Sequence, residues 1–223
     1  MEVQEYIGVI DAGLPQLPAV LPGGSVLMMV GLPGSGKSSV VHSLRTLTEC
    51  IVVSTDAVRQ QMSKHPGYTL NAMSLVYEVC YAIIRQRLRR GQRIIFDASN
   101  YLAARRQRLC NIAAETSTPV AVCYVQASQE VIEARLRQRI NGVRGQGDIS
   151  EADWSVYMWM LAKQEPLQRE HFLADTTSTP AAILAQAVYH YWKQIETNVS
   201  TSFTAGYADL QPSCWADSTR FDD

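Results

Sequence analysis

The sequence predicts an α/β fold, in which helices cover both faces of a mostly parallel five-stranded sheet. Short apolar runs alternate with longer segments in which apolar residues recur at helical spacing. The segments between the runs are long enough for a helix to cross back over the sheet, as parallel strands require. A chain of 223 residues, 47% of them hydrophobic, can bury one sizeable core.

Five short runs predict the strands. They cover residues 25–30, 51–54, 94–96, 120–125 and 173–176. Runs that are apolar throughout are typical of strands buried on both faces of a parallel sheet. We expect the last run, which is short and partly polar, to form an edge strand.

The segments between these runs predict the helices. They cover residues 37–47, 57–62, 72–90, 102–114 and 129–140, followed by a helix that ends near 160 and one that opens near 180. Ser128 is a favoured N-cap, and Ser150 with Asp153 has the spacing of a capping box. Gly91 follows its helix in the position where glycine commonly ends one.

The two ends of the chain differ from this pattern. Three prolines, Pro15, Pro18 and Pro22, predict an extended lead-in over residues 1–23. Residues 197–223 are rich in Ser, Thr and Asp and predict a polar tail. The folded domain is therefore expected to span residues 24–196.

Composition excludes several classes of function. A net charge of -1 and a pI of about 6.4 give no global field that would draw the chain onto nucleic acid or anionic membranes. No run is long enough to cross a bilayer, and the N-terminus has no secretory signal. The five cysteines form no CxxC pair. We therefore expect a cytoplasmic protein with no membrane partner.

The strongest motif is a P-loop over residues 31–38. The sequence Gly-Leu-Pro-Gly-Ser-Gly-Lys-Ser matches G-x-x-x-x-G-K-[ST] at every fixed position, between an apolar strand and an amphipathic helix. Glycines allow backbone N–H groups to turn toward phosphate oxygens, Lys37 reaches the β- and γ-phosphates, and Ser38 ligates Mg²⁺. The predicted ATP-binding residues are Gly31, Leu32, Pro33, Gly34, Ser35, Gly36, Lys37, Ser38 and Ser39.

Two acids follow the second and third strands, at the edge of the sheet where ligands bind. Asp56 can accept a proton from an attacking hydroxyl, and Arg59 lies one helical turn later, where it suits an acceptor phosphate. The alternative is that Asp56 only caps a helix. Asp97 ends an apolar strand as a Walker B acid does, and can hold a water on Mg²⁺.

These residues resemble the P-loop kinases related to the 5′-kinase domain of polynucleotide kinase, and zeta-toxin-like ATP-binding kinases look similar. The resemblance covers roughly residues 24–195 and implies a P-loop NTPase fold with an arginine-rich lid. It implies that Asp56 is the general base and that Arg59 holds an acceptor phosphate. It also implies that Arg139 and Arg144 are lid arginines that neutralise transition-state charge.

Other roles for these arginines stay open. Arg135, Arg137, Arg139 and Arg144 can form a solvated basic surface balanced by nearby acids. The segment Asp97–Asn100, with Arg105 and Arg106 after it, is similar to the segment that follows this strand in the same kinase family. Arg105 and Arg106 can instead lie on the solvent-exposed face of a helix that Asn100 caps. For the four-arginine cluster as a whole we favour the lid, whose arginines would lack partners until phosphates arrive.

The leading hypothesis is an ATP-Mg²⁺-dependent kinase that acts on a hydroxyl of a small or nucleotide-like acceptor, which includes an oligonucleotide 5′ end. The alternative is an ATP-hydrolysing switch or an ATP-binding regulatory protein that has no acceptor. Residues 63–69 and the helix after them are expected to shape the acceptor pocket. Nothing in their sequence identifies the acceptor.

Overall fold

A computed structural model describes residues 3–62 and 70–204 of the chain. Its sheet has five strands: β1 (Ser25–Val30), β2 (Ile51–Ser54), β3 (Arg93–Asp97), β4 (Val120–Gln126) and β5 (Phe172–Asp175). They lie in the order β2-β3-β1-β4-β5, and every neighbouring pair is parallel. The predicted parallel sheet is therefore confirmed, and its first strand lies at the centre.

Helices connect the strands. They are α1 (Val3–Ala12), α2 (Lys37–Leu44), α3 (Thr55–Met62), α4 (Leu70–Arg89), α5 (Ala103–Glu115), α6 (Gln129–Ile140), α7 (Trp154–Leu161) and α8 (Ala181–Thr204). Helices α2 and α8 pack on one face of the sheet, and α1, α4 and α5 pack on the other. No helix within the described ranges combines the length and the apolar character needed to span a membrane.

The alternation of side chains along β1 builds both cores at once. Val26 and Met28 join the cluster under α4, whereas Leu27 and Met29 join the cluster under α2 and α8. All four side chains are buried, as expected for a central parallel strand with a helix layer on each face. A third, smaller cluster around Leu32 packs α6 and α7 beside the end of β1.

The prediction of an extended lead-in is wrong for its first part, because Val3–Ala12 form helix α1. Ile7 and Ile10 are buried in the core against α4. The prolines do not prevent this, since Pro15 is the first of them and lies beyond the helix. The predicted polar tail also needs correction, because α8 continues through residue 204.

Two predicted helix caps are also wrong: the cap by Ser150 on the helix after the lid, and the cap by Asn100 on α5. The helix after the lid begins at Trp154, where Asp153 accepts a hydrogen bond from the backbone N–H of Val156, so it starts later than a Ser150 cap would place it. Helix α5 is capped from a distance, because the Glu165 carboxylate accepts the N–H of Ala103. The predicted Ser128 cap on α6 is confirmed.

Candidate active site

The loop between β1 and α2 has the backbone that a phosphate cradle requires. Gly34 and Gly36 have φ angles of 79° and 94°, in the left-handed region that favours glycine. A Cβ at Gly31 would lie 2.3 Å from the Val125 carbonyl oxygen, so no larger residue fits there. Lys37 Nζ donates to the Leu32 carbonyl oxygen at 2.9 Å across the loop. One of its three N–H donors is thereby fixed.

A cavity of about 560 Å³ opens at the carboxyl edge of the sheet. It is lined by most of the predicted site residues: Pro33, Gly34, Gly36, Lys37, Ser38, Ser39, Asp56, Asp97, Arg139 and Arg144. Of the remaining predicted residues, Gly31, Leu32, Ser35 and Arg59 do not line it. Predicted groups that follow β1 and β2, that end β3 and that belong to the α6 segment thus come together in one cavity, although they are far apart in sequence.

Lys37 lies in a cluster of opposing charges. Burial lowers the pKa of its ammonium group, while Asp97, Asp56 and Asp148 act to raise it. Burial raises the pKa of Asp97 to about 6, against the opposing effect of Lys37. Strong pKa shifts of cavity-lining groups are typical of functional sites, because burial and paired charges are concentrated there.

Asp56 lies inside the first turn of α3, which begins at Thr55. At this helix start Ser54 Oγ accepts a hydrogen bond from Ala57 N at 3.4 Å. Asp56 Oδ1 instead accepts from Arg59 Nη2 at 3.2 Å. The geometry therefore does not place Asp56 at the cap position that the alternative interpretation assigned to it.

Arg59 is fully buried between two carboxylates. Besides Asp56, it donates from Nη1 to Glu151 Oε2 at 3.0 Å, and Glu151 lies in the segment that follows the lid loop. Nη1 and Nη2 already have carboxylate acceptors, so an acceptor phosphate that bound them would have to displace Glu151 or Asp56. In the structure as it stands, Arg59 orients Asp56 and does not face the cavity.

The lid consists of the C-terminal part of α6 and the loop of residues 141–148. Arg139 donates from Nε and Nη2 to Asp148 Oδ2, at 3.0 and 2.7 Å, and from Nη1 to the Ala152 carbonyl oxygen at 2.6 Å. Arg144 donates to the Ser150 carbonyl oxygen at 2.6 Å. The expectation that these arginines lack partners without phosphates is wrong, because the chain supplies acceptors for both.

Arg135 has a different role from its neighbours on α6. It donates to the Gly34 carbonyl oxygen at 3.1 Å, and to Thr176 Oγ1 and the Thr176 carbonyl oxygen, each at 2.8 Å. Thr176 Oγ1 also donates to the Ser35 carbonyl oxygen at 2.7 Å. Burial lowers the pKa of Arg135. This network fixes the base of the lid to the P-loop.

Arg105 and Arg106, which follow β3, contact other parts of the chain and do not form a solvent-exposed face. Arg106 is buried and donates to the carbonyl oxygens of Asn100, Tyr101 and Pro166. Asn100 itself is not a helix cap. Its side chain donates to the Met29 carbonyl oxygen at 2.7 Å, and its φ of 46° turns the chain beside the P-loop. Arg105 stacks on the ring of Tyr77.

Sequence patterns missed Glu151 and the residues of the loop after β5, among them Thr176 and Thr177, which also line the cavity. None of them belongs to a motif, and their contacts are to residues distant in sequence. The position of Thr176 at the carboxyl end of a predicted strand was the one available signal, because the carboxyl ends of parallel strands form ligand sites.

The residues present fit an ATP-Mg²⁺ complex. Ser38 and Asp97 both line the cavity beside Lys37, and they offer one hydroxyl and one carboxylate oxygen donor. Among residues 3–62 and 70–204, no three acidic, His or Cys side chains converge to hold a metal alone. Such sparse protein ligation suits Mg²⁺, which is commonly bound by one or two protein groups together with nucleotide phosphates and water.

Comparison with solved structures gives the same fold. APS kinase of Mycobacterium tuberculosis, in complex with AMPPNP and APS, is 17% identical with a TM-score of 0.59, over 79% of this chain and 99% of the other. A gluconokinase from Sinorhizobium meliloti is 18% identical with a TM-score of 0.55, over 84% and 100%. Kti12 of Chaetomium thermophilum, in complex with ADP-AlF3, is 17% identical with a TM-score of 0.57, over 75% and 99%.

These structures share the fold of this chain over three quarters of its length or more. In this chain the fold consists of a P-loop, a parallel sheet and flanking helices. The model of the family described as AAA domain (AAA_33) matches residues 26–167. That match begins in β1, includes the P-loop, Asp56, Asp97 and the lid, and ends after α7. By its sequence and its fold, this chain belongs to the AAA_33 family.

Proposed function

We propose that the protein is an ATP-dependent phosphotransferase that moves the γ-phosphate to a hydroxyl of a small or nucleotide-like acceptor. The observation that carries the proposal is the convergence of Lys37, Asp56 and Asp97 on one cavity, with the lid arginines facing them. A site that only held a nucleotide would need the P-loop, but it would not need a second carboxylate at the adjacent strand end.

The P-loop would hold the nucleotide phosphates. The backbone N–H groups of residues 31–39, with the N-terminus of α2, would bind the phosphate oxygens, and Lys37 would contact the β- and γ-phosphates. Ser38 and Asp97 would hold Mg²⁺, directly or through water. When bound, the ion would neutralise charge on the transferring phosphoryl group.

Asp56 would act as general base. It lies in the first turn of α3, directly after β2, and lines the same cavity as Lys37, so that an acceptor hydroxyl in the cavity could pass its proton to the carboxylate as it attacks phosphorus. In the absence of an acceptor, a water molecule could take the same place and give slow hydrolysis. Arg59 would hold Asp56 in place, and would bind an acceptor phosphate only if Glu151 withdrew.

The lid arginines would act on the developing charge. Arg139 is only 10% exposed in its side chain and faces the cavity, which makes it the better placed of the two. Binding of the phosphates would compete with Asp148 for its guanidinium, because a polyphosphate carries more charge than one carboxylate. Arg144 lies on the exposed loop and would follow when the lid tightens.

The experiment that tests the proposal uses γ-labelled ATP with Mg²⁺ and a panel of hydroxyl acceptors. The panel includes a 5′-hydroxyl oligonucleotide, nucleosides, APS and gluconate. Label that appears on one acceptor, and is lost in Lys37→Ala, supports the kinase. Release of inorganic phosphate without transfer to any acceptor would favour the alternative, an ATP-hydrolysing switch.

A further inference from the structure

The segment of residues 148–152, which we call the strap, connects the lid to the helix that carries the proposed base. On one side it accepts the hydrogen bonds of the lid arginines described above. On the other side it has two contacts with α3. Gln60 Nε2 donates to the Ile149 carbonyl oxygen at 2.9 Å, and Arg59 Nη1 donates to Glu151 Oε2 at 3.0 Å.

Arg59 transmits the second contact to Asp56. A guanidinium is planar and presents its donors in a fixed fork, so a partner that holds one edge also sets the direction of the other. Here Nη1 is held by Glu151 and Nη2 by Asp56, and the side chain between them is completely buried. The Asp56 and Glu151 side chains are 26% and 51% exposed, so the removal of either carboxylate leaves a buried charge with one partner fewer.

From this geometry we infer that Glu151 is a positioning residue for the phosphotransfer reaction. It holds Arg59, and Arg59 in turn holds Asp56 at the cavity in the orientation needed to receive a proton. The inference rests on the proposed function, because it requires Asp56 to be the base. Glu151 belongs to none of the sequence motifs, and through it the strap connects the lid to Asp56.

The test is a double-mutant cycle with water as the acceptor. Phosphate release from Mg²⁺-ATP and the Kd of a fluorescent ATP analogue are measured for the wild type, Glu151→Gln, Asp56→Asn and the double variant. We expect Glu151→Gln to lower kcat about 10-fold, with a Kd within about twofold of wild type, because the substitution disturbs only a group that acts in the transition state. In the Asp56→Asn background it should cause no further loss.

Glu133→Gln is the matched control. Glu133 pairs with the exposed Arg137 on α6, so its substitution removes a carboxylate from the surface of α6 without touching Arg59. Its kcat should equal that of wild type. A silent Glu151→Gln, or a loss that simply adds to that of Asp56→Asn, would overturn the inference.

Two further results separate the inference from the proposed function. If Asp56→Asn retains full turnover, the proposed base is wrong, and the inference fails with it. If Asp56→Asn loses turnover while Glu151→Gln does not, only the inference fails. Should Glu151→Gln not fold, Glu151→Asp gives the same reading: its shorter side chain should lower kcat at unchanged Kd, and equal kcat would contradict the inference.

Discussion

Lys37 and Asp97 share one electrostatic environment, and each makes the other's charge easier to bury. Burial shifts both pKa values toward the neutral form, and the opposite charge partly offsets that shift. The buried charges of Lys37 and Asp97 reduce the stability of the fold. A role in binding a charged ligand explains why the site contains them.

Lys37→Ala should abolish nucleotide binding while the fold survives. Alanine is tolerated in the first turn of a helix, and the variant removes a buried charge whose described hydrogen bond is to one loop carbonyl. Titration with a fluorescent ATP analogue, beside a thermal melt, checks both parts. Near-normal affinity in this variant would mean that the P-loop is not the nucleotide site.

Asp56→Asn should leave ATP affinity close to normal and lower phosphoryl transfer by roughly 10²-fold or more, the usual contribution of a positioned base. Asparagine has the same shape but accepts a proton far less readily. Steady-state kinetics with an acceptor from the panel, with binding measured separately, tests this. Unchanged transfer would leave Asp56 with a structural role only and would favour the switch.

Asp97→Asn should stabilise the protein in the absence of metal and nucleotide. The folded-state pKa of about 6 lies above the ordinary 3.8, so the folded chain binds this proton more tightly than the unfolded chain. The cost of ionising Asp97 is therefore fully present above pH 6 and fades as the pH falls toward 4. We expect a gain of roughly 1–3 kcal/mol at pH 8 that shrinks at pH 4, measured by urea unfolding in EDTA. A gain that grows toward low pH would contradict this.

Among the elements, α6 and the lid combine a rigid base with a movable end. Arg135 anchors the helix to the P-loop and to Thr176, and Leu136 packs in the small core cluster. In the loop beyond Ile140, Gly142 and Gly147 adopt positive φ angles. The anchored half can place Arg139 accurately, while the loop can rearrange around phosphates.

Hydrogen exchange across residues 141–148 should slow when Mg²⁺-ATP is added. The lid arginines then replace contacts to the chain with stronger charge-assisted contacts to phosphates, which reduces opening of the loop. Mass spectrometry of the exchanged peptides measures the effect, and Lys37→Ala supplies the control without nucleotide. Equal exchange with and without Mg²⁺-ATP in the wild type would indicate a lid that does not respond.

The molecule as a whole includes its N-terminal helix as part of the fold. Arg87 on α4 is fully buried and donates from Nε to Asp11 Oδ1 at 2.5 Å and from Nη2 to the Asp11 carbonyl oxygen at 2.7 Å. The following segment runs back to the sheet, where Val20 N bonds the Gly91 carbonyl oxygen at 2.7 Å. The lead-in is thus bound at two places, to α4 through Arg87 and to the turn before β3 through Gly91.

Asp11→Ala should destabilise the protein by about 2–4 kcal/mol, because it leaves the buried Arg87 charge without its carboxylate. ATP affinity should be preserved, since the ion pair lies away from the cavity. Chemical unfolding and an ATP-analogue titration measure the two. The control is Glu78→Ala, which breaks the exposed pair with Arg108 and should cost less than about 1 kcal/mol. Equal costs would mean that the N-terminal helix is not part of the cooperative unit.

The sequence alone determined the five strands, the helices between them and the P-loop. Hydrophobic period and strand-to-helix spacing are local properties, so the parallel sheet could be predicted, and the P-loop is a contiguous motif whose backbone chemistry lies within residues 31–38. Tertiary structure decided what needs contacts between distant residues: the burial of α1, the capping of α5 by Glu165, the anchoring role of Arg135, and the placement of Arg59 between Asp56 and Glu151. The partner of a side chain in such contacts depends on how the helices and strands pack, and the spacing of residues along the sequence does not reveal that partner.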